Sequence, residues 1–152
     1  MKKEELRKAW LAAAVTTVAV ISAIFIYAAV VEIIGRAAYF KAPVSGAAAA
    51  AVKYALYFLG TGSVFSLKFI RPAMEARRGT AAEALSALVK EAAVTAAICE
   101  VPAFAGFVLF FLTGGRWDFY LLASFSTVMQ LFFFPRYPVW EEKLRAEYGL
   151  DG

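Results

Sequence analysis

Long uncharged stretches alternate with short basic flanks along this chain, and the alternation predicts its elements. After Lys2, Lys3, Arg7 and Lys8, an apolar run extends from Ala9 to Val31. About 20 apolar residues are needed for a helix to cross the hydrocarbon core of a bilayer. The run exceeds the roughly 7–15-residue core of a signal peptide, so it reads as a retained helix over about 9–34. A second run predicts a helix over about 47–70, Ala-rich at first and then rich in Gly60, Thr61, Gly62, Ser63 and Ser66. Small residues let helices approach closely in lipid, and Ala51, Ala55, Gly62 and Ser66 lie near one helical face.

A third helix is predicted over about 81–113. Thr80 and Glu83 after Gly79 have the spacing of a capping box, which sets its start near Ala81. Gly114-Gly115 ends it. The fourth run, about 117–135, is the most aromatic, and Pro135 and Pro138 stop it. The tail over about 138–148 spaces Trp140, Leu144 and Tyr148 as one face of a short amphipathic helix. Tyr137, Trp140 and Trp117 suit the membrane–water interface. An Ala-Ala-x-x-Glu pattern recurs at Ala28-Ala29…Glu32 and Ala96-Ala97…Glu100, but at different depths, and reads as coincidence.

Composition sharpens this picture. The chain has 152 residues, 62% hydrophobic and 16% aromatic, with a mean hydropathy of +0.66. Soluble domains average about 45–50% apolar residues. The expected fold class is therefore all-α: one integral membrane domain, a four-helix up-down bundle in the lipid bilayer. The net charge of +4 comes from residues beside the apolar runs, which are topology signals rather than nucleic-acid contacts. Lys2, Lys3, Arg7, Lys8, Lys68, Arg71, Arg77, Arg78, Lys90, Arg136, Lys143 and Arg145 fall on one side. Arg36, Lys41, Lys53 and Arg116 fall on or toward the other. The excess of basic residues places both termini on the cytoplasmic side of the cell's inner membrane.

The chemistry inventory is short. There is no histidine, and Cys99 is the one cysteine. That excludes His-ligated haem, the common zinc sites and His-based triads. Thr113, Ser124, Ser126, Thr127 and Gln130 form no nucleophile–base spacing, and no phosphate-binding Gly loop occurs. Neither an enzyme nor a cofactor is expected.

Glu100 stands out, alone in the uncharged stretch Ala92–Leu112. A charge at mid-bilayer costs about 2.5–3.5 kcal/mol on insertion scales, so such residues carry functions or partners. A dry environment favours the neutral carboxylic acid, which can take up or release a proton. Pro102 removes an N–H and crowds the carbonyl four residues back, that of Ile98. Glu100, Ile98 and Pro102 thus form a candidate proton- or cation-binding site. Ala93, Ala96 and Ala103 near Glu100 offer a face for another helix. Glu32 and Lys53 approach the outer surface on consecutive helices and predict a structural ion pair, while Lys68 snorkels.

The segment Glu100–Val108, EVPAFAGFV, resembles the outer helix of the proteolipid (c) subunits of rotary ATP synthases. In that likeness Glu100 matches the essential carboxylate, Ala103 the small residue and Gly106 the glycine six positions on. Arg71-Pro72 and Glu75 are similar to the polar loop of a proteolipid hairpin. As a whole, the chain looks like small four-helix bacterial membrane proteins that share this helix. The resemblance implies reversible ion binding at Glu100 and a place in an ion-translocating membrane complex or homo-oligomer. The residues alone also allow a structural or assembly protein in which a protonated Glu100 is interhelical glue. Ala96, Ala103, Gly106 and Gly62 would then matter for packing.

Overall fold

The computed structural model describes residues 3–37, 40–75 and 79–149, and these fold into six helices with no strand among them. They are α1 (Lys3–Gly35), α2 (Gly46–Phe65), α3 (Leu67–Glu75), α4 (Ala81–Thr113), α5 (Arg116–Phe132) and α6 (Tyr137–Tyr148). The capping box forms as expected. The Thr80 side chain accepts from the Glu83 N–H, and the Glu83 carboxylate accepts from the Thr80 N–H. Gly114, at φ 74°, closes α4 in the left-handed conformation that a glycine adopts without a Cβ clash.

Two boundaries differ from those predicted. The helix expected over 47–70 breaks at Ser66. The Ser63 and Ser66 hydroxyls donate to the carbonyls of Gly60 and Ser63, and the Ser66 N–H bonds to Ser63. Such i−3 bonds tighten a turn and interrupt the regular ladder. The last run is also shorter than expected. α5 has 17 residues and reaches about 26 Å at 1.5 Å per residue, less than a typical hydrocarbon core. It meets α6 at a bend of 44°. Three stretches are long and apolar enough to cross a membrane, Lys3–Gly35, Gly46–Met74 and Ala81–Thr113, or four if the bent α5–α6 pair is one span.

α4 is the central helix, contacted by every other one. The pairings run in alternating directions. Gly60 of α2 meets Pro102, Phe119 of α5 meets Gly106, and Tyr27 of α1 meets Glu100. The ends of α1 and α4 and the starts of α2 and α5 therefore lie together at one end, the hairpin end, where the Val44 N–H bonds to the Leu112 carbonyl. At the other, terminal end, Leu6, Ala84, Leu88, Trp140 and Leu144 form one core cluster. Tyr148 packs against it, so the predicted α6 face is buried on the bundle. Trp10 donates its indole N–H to the Pro135 carbonyl at 2.9 Å and fixes the α5–α6 corner. A second cluster, around Ile24, Val31, Ala103, Phe110 and Phe119, fills the hairpin half.

The outside of the bundle is strongly apolar. Phe58 is 82% exposed, and Phe25, Phe65 and Phe69 also point outward. So large an exposed apolar surface suits lipid.

The close approach of α2 to α4 falls on Gly60, not on Gly62. A Cβ at Gly60 would lie 3.1 Å from the Pro102 Cα, whereas one at Gly62 would have nothing within 4 Å. Two residues are about 200° of helical rotation, so the two glycines face opposite ways. The same rotation leaves Ala51 and Ala55 exposed. Gly60→Val should destabilise the bundle by about 1–3 kcal/mol through overpacking, while Gly62→Val should leave thermal unfolding in detergent near the wild-type value.

Candidate functional site

Glu100 lies half-buried where α4 passes α1. The Tyr27 hydroxyl donates to its Oε1 at 2.7 Å. The Tyr27 ring stacks on Phe107 at 4.9 Å and meets Phe104 edge-on at 6.5 Å. This aromatic pair fixes the phenol, so the hydroxyl is held toward the carboxyl rather than left to rotate.

Of the predicted grouping of Glu100, Ile98 and Pro102, Glu100 and Pro102 face different neighbours of α4. α4 continues as a helix through Pro102, which is buried against Gly60 of α2. Glu100 faces α1 instead, because two residues separate the positions by more than half a helical turn. The hydrogen bonds that α4 carbonyls receive from α5 fall on either side of Ile98. Ser126 donates to the Cys99 carbonyl, and Gln130 donates to the Ala96 carbonyl at 3.1 Å. Both side chains are fully buried. In a dry interior these bonds tie α5 to α4 at two successive turns.

The packing residues Ala96, Ala103 and Gly106 are all buried in α4. Gly106 has the tightest surroundings, since a Cβ there would lie 3.1 Å from Leu122 Cβ and 3.2 Å from the Phe119 backbone. Cys99 is buried and acts as a small packing residue.

The predicted Glu32–Lys53 pair is replaced by separate ties, Lys53 to the first turn of α5 and Glu32 to Arg36 and to Tyr120 of α5. Glu32 binds Arg36, just past the end of α1, at 2.9 Å and accepts from the Tyr120 hydroxyl at 2.6 Å. Lys53 binds Asp118 at 2.7 Å, and the Tyr57 hydroxyl donates to the same carboxylate oxygen at 2.9 Å. Arg116 donates to the Gly35 carbonyl. α5 therefore joins α1 and α2 at the hairpin end, where the sequence suggested a direct α1–α2 bridge. Asp118, Tyr27, Tyr57 and Tyr120 are the partners that sequence reasoning missed. The signal for Asp118 was its place as the acid in the first turn after Gly115, a favourable helix position.

At the terminal end, Arg71 of α3 donates its Nε to buried Glu91 of α4 at 2.8 Å, and its guanidinium lies over the Phe133 ring. Lys2, Arg77 and Arg78 of the basic flanks, and the Glu75 side chain, lie outside the described residues.

Among the described residues no three His, Cys, Asp or Glu side chains gather as metal ligands. At Glu100, one carboxylate and one phenol fall well short of the six to eight oxygens a calcium ion takes. The arrangement suits a proton or a hydrogen bond better than a divalent ion.

No protein-family model, curated protein or solved structure matches the chain. The likeness of Glu100–Val108 to a rotary proteolipid thus rests on those residues alone.

The α4–α5 bonds give a direct test. Gln130→Leu and Ser126→Ala should each lower unfolding stability in detergent by about 0.6 kcal/mol and at most about 1.7 kcal/mol. An exposed control such as Ser124→Ala should not.

Proposed function

We propose that this chain is a multi-pass, non-catalytic protein of the inner membrane, a four-helix bundle with both termini in the cytoplasm. Its role is structural or in assembly, with Glu100 serving as interhelical glue. The observation that carries this reading is the Tyr27–Glu100 hydrogen bond: the mid-span carboxyl is taken up by the protein's own first helix. A rotor-type carboxylate would instead be presented to a partner. α1 and α5 also cover α4 on two sides, which leaves the α2–α4 hairpin poorly disposed for ring packing. The orientation is supported by the basic residues Lys3, Arg7, Lys8, Lys68, Arg71 and Lys90 at the terminal end, against Arg36, Lys41 and Arg116 at the hairpin end.

One observation favours a second reading, reversible proton binding at Glu100 within an ion-translocating complex. Glu100 is half-buried, and Phe104, one turn on, is 53% exposed. The carboxyl therefore lies close to the bundle's lipid-facing surface, within reach of another membrane subunit.

The two readings separate in a double-mutant cycle combined with a flux assay. As glue, Tyr27→Phe and Glu100→Gln each lower stability, the pair is coupled by about 0.6 kcal/mol, and proton flux across native membrane vesicles is unchanged by Glu100→Gln. Loss of flux in Glu100→Gln, with no coupling to Tyr27, overturns the structural reading and supports the second.

A further inference from the structure

The geometry points to a binding site for an anionic phospholipid at the terminal end of the bundle, between α3, α4 and the α5–α6 corner. A cavity of about 330 Å³ opens there, lined by Arg71, Glu91, Phe133, Arg136 and Trp140 among others. Its volume is in the range of small-molecule sites, about 300–1,000 Å³. A second, mostly apolar groove of about 390 Å³ adjoins it between α2–α3 and α5, lined in part by Phe65, Phe125 and Met129. Arg71, Phe132 and Phe133 line both, so the two form a continuous amphipathic trough.

The polar part carries the charge an acidic headgroup needs. Lys68, Arg71 and Arg136 line the trough against the one carboxylate of Glu91. Glu91 takes the Nε of Arg71 and Phe133 supports the guanidinium face. The guanidinium is thereby held in place, and among the described residues its terminal nitrogens make no hydrogen bond, so they can meet a phosphate in the paired geometry arginine offers. The apolar part runs from Arg71 along α5 as far as Phe125, about two turns before the end of α5. A headgroup at the arginines would thus lay an acyl chain toward the middle of the span. Basic recesses between helices at headgroup depth bind anionic lipids on these terms. A free phosphate would use the arginines but have no need of the groove. The inference rests on the chain lying in a membrane and is independent of any role for Glu100.

The test is a titration of the purified full-length protein in detergent with short-chain phosphatidylglycerol, phosphatidylcholine and inorganic phosphate, read by native mass spectrometry. Phosphatidylglycerol should bind at least about fivefold more tightly than phosphatidylcholine, the increment expected from about one basic contact. Arg136→Gln, at an exposed side chain that makes no helix cap, should remove most of that preference without unfolding the protein. Met129→Trp should fill the apolar groove and weaken both lipids, with its fold checked by circular dichroism. Equal affinity for the two lipids overturns the proposal. So does a phosphatidylglycerol affinity that inorganic phosphate abolishes and Met129→Trp leaves unchanged, which would mark a free-anion site.

Discussion

Close packing on three sides of α4 is the constraint on which the rest of the bundle depends. In lipid, apolar side chains gain little by leaving their surroundings, so helices associate through van der Waals contact and hydrogen bonds. Contact at short range needs small residues at the crossing points. α4 supplies Gly106 for α5, and α2 supplies Gly60 for the Pro102 face of α4. Ala96 and Ala103 keep the same helix slim where its neighbours approach. Larger buried side chains fill the rest of the core, Phe110 and Phe119 in the hairpin half and Trp140 in the terminal half.

On that packed frame the polar groups act as ties, each joining α4 or α5 to a neighbour. Ser126 and Gln130 join α5 to α4, and Tyr27 with Glu100 joins α1 to α4. Arg71 with Glu91 joins α3 to α4. Asp118 and Tyr120 join α5 to α2 and α1 at the hairpin end. A pair of this kind contributes only modestly in a membrane, because an unfolded helix also finds partners for its polar groups. Their shared effect is on register, since a slide of one turn would break several at once.

The sequence was most informative where a feature is local. The capping box at Thr80 set the start of α4, Gly114 its end, and the spacing of Trp140, Leu144 and Tyr148 the inner face of α6. It was least informative about which helices touch. Glu32 and Lys53 lie on consecutive helices at compatible depth, and both are indeed engaged in ion pairs. Their partners come from α5 and from Arg36 just past the end of α1, because spatial neighbours in a bundle need not be sequence neighbours. The tyrosine hydroxyls were illegible for a related reason. A Tyr in an aromatic run looks like apolar bulk until its position relative to a carboxylate is known. Gly60 and Gly62 differ only in the phase of the helix, which a run rich in small residues does not reveal.

The central claim is that Glu100 is taken up by this protein's own first helix. The most direct measurement is solid-state NMR in lipid bilayers, with carbon labels on the Tyr27 ring and the Glu100 carboxyl. A strong cross-peak between them is expected when both labels are on the same chain, persisting when labelled protein is diluted with unlabelled copies. Absence of that cross-peak, or its appearance only between differently labelled chains, would contradict it.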